Sequence, residues 1–216
     1  MNEISKMPNF ETVLVLAPHT DDGEFGCGGT ISKLIEQGSR VIYVAFSAAE
    51  QSVRDDLPRD ILRKEVKLAT KELGIKDRDC IVLDFEVRKF PDLRQEILQK
   101  MIDLNNKFEP DLVFLPSQND THQDHNVISN EGFRAFKRIT MLGYEVPWNN
   151  LEFRTSCFFE LSKENLEKKC LALEKYLSQN QRNYANSKFV KSLAFTRGTQ
   201  IGKEYAECFE VIRLVL

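Results

Sequence analysis

The sequence predicts a single α/β domain over residues 1–216, built on a mostly parallel sheet with helices on both faces. Three observations carry this expectation. Short runs rich in β-branched residues alternate with longer stretches whose apolar residues recur at helical spacing, the signature of strand-helix-strand units. The short runs are apolar throughout, as strands buried on both faces must be. No repeat, linker or low-complexity segment marks a second domain. A chain of 216 residues with 42% hydrophobic and 29% charged residues also has the size and balance of one domain with a substantial core.

Taken in order, Val13–Ala17, Arg40–Phe46, Cys80–Asp84 and Leu112–Leu115 read as the buried strands. Between them, Gly28–Gln37, Pro58–Leu73 and Asp92–Lys107 read as helices, with stops at Gly38 and Gly74. Pro58 suits a first helical turn, and Leu62, Val66, Ala69 and Leu73 line one stripe. Beyond Lys137 the pattern loosens. Pro147, Trp148, Asn149 and Asn150 read as a loop within 139–161, with a strand at Phe153–Leu161. Ser162, with Asn165 three residues on, predicts the N-cap of a helix running to about Leu177. Tyr205–Leu216 reads as the final strand.

Charge and cysteine usage narrow the function classes. A net charge of −3 leaves no basic stripe that could neutralise many phosphates, so nucleic acid is not an expected partner. The cysteines Cys27, Cys80, Cys157, Cys170 and Cys208 are odd in number and lack a C-x-x-C spacing, which argues against a disulfide framework or a thiolate zinc site and for a reducing compartment. Met1–Phe10 has no apolar core of signal-peptide length, and no later run is long enough to span a bilayer. The expected location is the cytoplasm.

The chemistry-bearing residues fall in two clusters. His19-Thr20-Asp21-Asp22 follows the first predicted strand, and Asp120-Thr121-His122-Gln123-Asp124-His125 follows Leu112–Leu115. In a parallel α/β sheet the loops after the strands converge at the carboxyl edge. All three histidines of the chain lie in these clusters. A catalytic zinc site uses three ligands drawn from His, Asp and Glu and keeps one position open. One histidine and one carboxylate from the first loop and one histidine from the second meet that need. The remaining carboxylate would take a proton from water, and the remaining histidine would stabilise or protonate the departing group. A lone Asp-Asp after a strand is more often a helix cap, and a lone His-x-x-His is more often chance. Their joint placement after two strands of one domain favours the metal site.

Gly26-Cys27-Gly28-Gly29-Thr30 invites comparison with a phosphate-cradling loop, but it lacks both the G-x-G-x-x-G spacing and the Walker lysine. The expectation is close packing of loop and helix, with Cys27 as core.

These residues resemble the PIG-L/LmbE-like N-acetylglucosaminyl deacetylase family. Its first signature, approximately Ala-His-Pro-Asp-Asp-Glu and then Cys-Gly-Gly, is matched by Pro18-His19-Thr20-Asp21-Asp22-Gly23-Glu24 and Cys27-Gly28-Gly29. Its second, Asp-x-His-x-Asp-His, is matched by Asp120 to His125. Similarity continues through Arg63-Lys64-Glu65, Leu73-Gly74, Leu177-Ser178-Gln179 and Tyr205-Ala206-Glu207-Cys208-Phe209. The resemblance implies a Rossmann-like, LmbE-like fold and a zinc-dependent enzyme that removes the N-acetyl group from an N-acetylglucosamine-type sugar conjugate. It implies His19, Asp22 and His125 as ligands of one Zn2+ per chain, with Fe2+ or Co2+ as alternatives. It implies Asp21 as general base, His122 at the oxyanion or leaving amine, and Asp124 fixing the ring of His122. Arg63 and Asp84 match positions that hold sugar hydroxyls or an attached group, and a trimer or hexamer is the implied assembly. Thr20 and Gly23 depart from the signature, where proline and glutamate are usual; Gln179 and Glu207 receive no catalytic role. Two other readings compete with this one. A nucleotide-binding Rossmann-like module would use the glycine turn, although Asp21-Asp22 beside it would repel a pyrophosphate. A catalytically inactive sugar-binding member would bind without cutting.

Overall fold

The computed structural model describes residues 10–215. The reading of Met1–Phe10 falls, Phe10 apart, outside them, as does Leu216 at the end of the last predicted strand. The described chain forms one sheet of seven strands, β1 (Thr12–His19), β2 (Arg40–Ser47), β3 (Cys80–Val82), β4 (Leu112–Pro116), β5 (Thr140–Tyr144), β6 (Cys157–Leu161) and β7 (Tyr205–Arg213). Six α-helices accompany it, α1 (Asp22–Glu36), α2 (Ile61–Glu72), α3 (Arg94–Phe108), α4 (Gln123–Ala135), α5 (Lys163–Glu174) and α6 (Ser187–Gln200).

The strand order is β3-β2-β1-β4-β5-β7-β6. Pairing is parallel from β3 through β5, and antiparallel where β7 joins β5 and β6. The chain therefore runs outward from β1 through β2 to β3, then returns to lay β4 on the other side of β1. The loops after β1 and β4 diverge at this switch point and leave a crevice between them.

Strand β1 is buried on both faces because its neighbours are. Val13, Val15 and Ala17 face the layer of α1, α2 and α5, with Ile31, Leu34, Val66 and Tyr176 in one core. Leu14 and Leu16 face α3 and α4, with Ile97, Met101 and Ile128 in the other. Full burial of such side chains stabilises by roughly 1.5–3 kcal/mol each, which anchors the strand whose end carries the first cluster.

Several boundaries differ from expectation, each for a physical reason. Helix α1 begins at Asp22, not Gly28, and bends at Cys27, whose φ and ψ are −145° and 21°. Its glycines look like loop residues, yet a Cβ on Gly23 would stand 2.5 Å from the Tyr43 ring, so close packing selects glycine there. Strand β5 lies inside the region read as loop, its pattern masked by Gly143, whose Cβ would lie 3.1 Å from the Ser117 backbone. Helices α4 and α6 have no delimited counterpart in the sequence pattern; α6 buries only the narrow stripe Val190, Ala194 and Gly198. Helix α2 starts at Ile61 after a turn at Pro58, and α3 at Arg94 after a short turn at Phe90–Leu93. Strands β3 and β6 are shorter than read, and β7 ends at Arg213. The capping expectation holds: Ser162 Oγ accepts from the Asn165 N–H at 3.1 Å, and Asn165 Oδ1 accepts from the Ser162 N–H at 3.2 Å; the helix stops at Glu174. Among the described residues no helix is long and apolar enough to cross a membrane.

Candidate metal centre

Both clusters sit at the switch point. His19 ends β1, and Asp21 and Asp22 open α1; His122 is the N-cap of α4, with Asp124 and His125 in its first turn. The three imidazole centroids lie 4.8–5.3 Å apart. His19, Asp22 and His125 bring one ligand atom each within 4.8 Å of one another. A single oxygen, Asp22 Oδ2, lies 3.2 Å from His19 Nδ1 and 3.2 Å from His125 Nε2.

The surroundings make this triad the better fit for a divalent ion. Asp120 Oδ2 holds His125 Nδ1 at 2.7 Å, and Asp124 Oδ2 holds His19 Nε2 at 2.9 Å, so each histidine turns its other nitrogen to Asp22. A second grouping, His19, His122 and Asp124, also meets the distance criterion, but its carboxylate already bonds His19 and the Arg88 N–H at 2.7 Å. Burial opposes a proton on His125, yet Asp22 and Asp120 raise its pKa to about 10. Carboxylates that favour a proton so strongly at that position favour a divalent cation there for the same reason. Burial works against the Asp22 carboxylate as well, and the charge of and hydrogen bonds from the histidines overcome it, holding its pKa below the usual range.

Asp21 settles between two readings of Asp-Asp. It occupies the N-cap position of α1, but its side chain makes no capping hydrogen bond. The carboxylate is left to face the cavity, and burial first, then the adjacent Asp22 charge, raises its pKa. His122 does act as a cap: its Nδ1 accepts the Asp124 N–H at 3.2 Å. Burial and then the neighbouring histidines lower its pKa. A neutral ring with an accepting Nδ1 carries its proton on Nε2. The expected hold of Asp124 on the His122 ring is corrected in kind, because it is the backbone N–H that touches His122 while the carboxylate serves His19.

Beneath the first loop lies a polar cluster that the sequence did not disclose. Tyr43 Oη and Tyr176 Oη donate toward Thr20 O at 2.8 and 2.5 Å, and both contact the Glu24 carboxyl. Burial pushes Glu24 up to about 8. Gly23 makes room for the Tyr43 ring, and the carboxyl one residue on fastens the loop from below.

The segments of similarity also find one another in space. Glu207 accepts the N–H groups of Gly29 and Thr30 at 3.0 and 2.6 Å and pairs with Lys169 Nζ at 2.6 Å. The amides that a phosphate would need are therefore occupied by a carboxylate of the chain itself, which removes the basis for a nucleotide-binding loop. Glu65 accepts from Ser178 N–H and Oγ at 3.0 and 2.5 Å, tying α2 to the segment at Gln179.

The cluster opens into a cavity of about 240 Å³. His19, Asp21, Asp22, His122 and His125 form its floor, and Arg88, Trp148, Asn149, Gln179, Arg182 and Tyr184 stand around it. Arg63 and Asp84 are not in its wall: Arg63 pairs with Glu50 at 2.6 Å and with the exposed Asp84 at 2.5 Å. Arg88, Trp148, Arg182 and Tyr184 were missed, since no local motif links them; Asp120 stood in the second signature and could have been assigned from the need to orient a ligating histidine.

The class of protein defined here is a seven-stranded α/β sheet whose His-Asp loops meet at the switch point and bring together side chains that could hold a metal ion. The chain belongs to the PIG-L family, whose sequence model, described as GlcNAc-PI de-N-acetylase, matches residues 14–136. An Escherichia coli K12 protein named uncharacterized deacetylase YaiS is 27% identical over 172 residues, covering 77% of this chain and 90% of that protein. The diacetylchitobiose deacetylase of Thermococcus kodakarensis is 28% identical over 137 residues, 61% of this chain; the chain spans 50% of its length. Among solved structures, the conserved protein TT1542 of Thermus thermophilus superposes with a TM-score of 0.77 at 25% identity, covering 94% of this chain and 95% of that one. GalB of Pseudomonas putida KT2440, a 4-carboxy-2-hydroxymuconate hydratase, gives 0.78 at 20% identity over 95% and 98%. The fold alone thus does not select the reaction.

Proposed function

We propose that the chain, acting as one domain, is a metal-dependent hydrolase that removes the acetyl group from an N-acetylglucosamine-type conjugate, a small molecule taken up in the cytoplasm. The observation that carries this reading is Asp21: a carboxylate that caps nothing, faces the cavity and abuts a triad suited to a cation. The names of the sequence relatives, deacetylases in each case, support the same reaction.

His19, Asp22 and His125 would hold the ion, one per chain, with zinc the expected metal. When bound, it would supply Lewis acidity to the amide carbonyl and to the attacking water. Asp21 accepts the proton of that water as its oxygen bonds to the acetyl carbon. His122 donates from Nε2 to the carbonyl oxygen as negative charge develops there, a role for a neutral ring. Asp21 then returns the proton to the nitrogen, the C–N bond breaks, and acetic acid and the amine leave, the acid passing its proton on to give acetate and ammonium in water. Asp124 and Asp120 keep the histidine rings in their tautomers.

Incubation with a panel of N-acetylated sugar conjugates, reading acetate and amine in equal amounts, tests this. Release should stop on chelation and return with a divalent ion. Absence of release from every N-acetyl sugar by protein with its ion bound would sink the reading.

A further inference from the structure

We propose that Lys169 and Glu207 are positioning residues of the metal centre: a buried ion pair set into the bend of α1, they fix the direction of the first turn of that helix and so of Asp21 and Asp22. The inference rests on the metal-dependent reading above and adds two residues outside the ligand set.

Helix α1 is two segments joined at Cys27, whose backbone is not helical. In a regular helix the Gly29 N–H would donate to the Phe25 C=O across that residue. Both groups are held by the ion pair. The N–H groups of Gly29 and Thr30 donate to the two oxygens of Glu207, and Lys169 Nζ donates to the Phe25 C=O at 2.6 Å while it pairs with Glu207. The carboxylate thus caps the start of the second segment, and the ammonium caps the end of the first, each the charge that its helix end favours. Side chains set into the hydrogen-bond ladder at one point bend a helix there.

The sequence makes room for this pair. Lys169 comes from α5 and Glu207 from β7, and each side chain is only 6% exposed. A Cβ on Gly28 would stand 3.0 Å from Lys169 Cγ, and one on Gly29 would stand 2.5 Å from Leu161 Cδ1 and 3.3 Å from Glu207 Oε1. The two later glycines of the Gly26-Cys27-Gly28-Gly29 run therefore answer to the strand and the ion pair packed against them. A buried ion pair adds little stability over apolar side chains of the same volume, so stability alone does not account for this one.

Its leverage on the site is short. The Phe25 N–H donates to the Asp21 C=O at 3.1 Å, so a single residue joins the ammonium to the backbone of the proposed base. Asp22 opens the same turn and meets His19 and His125 with one oxygen, 3.2 Å from each, so a rotation of the short segment carries that oxygen away from both. Tyr43 and Tyr176 hold Thr20 O before this turn, and Lys169 holds Phe25 O at its end.

The test measures zinc affinity by competition with a chelating dye, and the visible absorption bands of the cobalt-loaded protein, for wild type, Lys169→Met, Glu207→Gln and Gly28→Ala. Neither readout needs turnover, so both decide the proposal whether or not acetate is released. Lys169→Met should weaken zinc binding about tenfold and alter the cobalt bands, which report the geometry of the ligands. Glu207→Gln should weaken it by less, because an amide oxygen still accepts from one N–H and Lys169 keeps Phe25 O. Gly28→Ala keeps both charges but presses on the lysine stem, and should alter the bands in the same sense. Asp79→Asn, which loosens the Arg40 pair at the other end of β2, should lower Tm and leave affinity and bands as in wild type. Wild-type affinity and bands in Lys169→Met overturn the proposal, as they do in Gly28→Ala should Lys169→Met not fold. A change in Asp79→Asn as large as theirs also overturns it, since general loosening would then suffice. A wild type that binds no zinc removes the metal reading itself, and the proposal with it.

Discussion

The floor and the rim of the cavity are built on opposite principles. The floor is buried or half-buried and assembled from two short segments, each locked by partners of its own, such as Asp120 on His125 and the Tyr43, Tyr176 and Glu24 cluster under Thr20. The rim is largely exposed and assembled from distant segments, with Trp148 and Tyr184 meeting by stacking and Arg88 placed by a left-handed turn. On the proposed reading the contrast divides the work: the reaction falls to the floor, whose groups must keep fixed protonation and direction, and contact with the rest of the substrate falls to the rim.

The comparison is broken most severely at Asp21. Asp21→Asn should lower kcat by about 10²–10⁴ while the bound metal is retained, as measured by steady-state kinetics beside elemental analysis. Near-normal turnover with metal in place would move the base elsewhere. One step outward, Asp120→Ala frees His125 Nδ1, and metal affinity should fall about 10–100-fold in a competition titration with a chelating dye. An unchanged affinity would show that His125 needs no orienting partner. At the rim the effect should be smallest and of another kind. Trp148→Ala removes the face on which Tyr184 rests, and KM should rise about two- to tenfold, the equivalent of roughly 0.5–1.5 kcal/mol of stacking. A fall in kcat exceeding the rise in KM would mean that rim and floor are not separable.

The same contrast explains what could be read from the sequence. Strands β1, β2 and β4 were legible because both faces are buried and their residues are apolar without interruption. The floor was legible because its ligating types are rare in this chain and crowd into two loops directly after those strands. Strand β5 was not, since Gly143 answers to the Ser117 backbone, a contact between segments far apart in the chain. Helix α6 was not, because it turns only a narrow stripe inward and leaves Phe195 exposed. The rim escaped for a related reason: Arg182 and Tyr184 acquire meaning only through Trp148, and nothing local marks either. Arg63 and Asp84, chosen by resemblance, pair with each other and with Glu50, a contact that no local pattern in the sequence announces.

The central claim, that His19, Asp22 and His125 hold the ion on which amide cleavage depends, is tested most directly by titrating zinc into metal-stripped protein while recording acetate release from an N-acetylglucosamine conjugate. The account predicts that release rises from background and saturates at about one ion per chain, and that Asp22→Ala neither binds the ion nor responds. Full release from the metal-stripped protein, or an Asp22→Ala variant that titrates like the wild type, would contradict it.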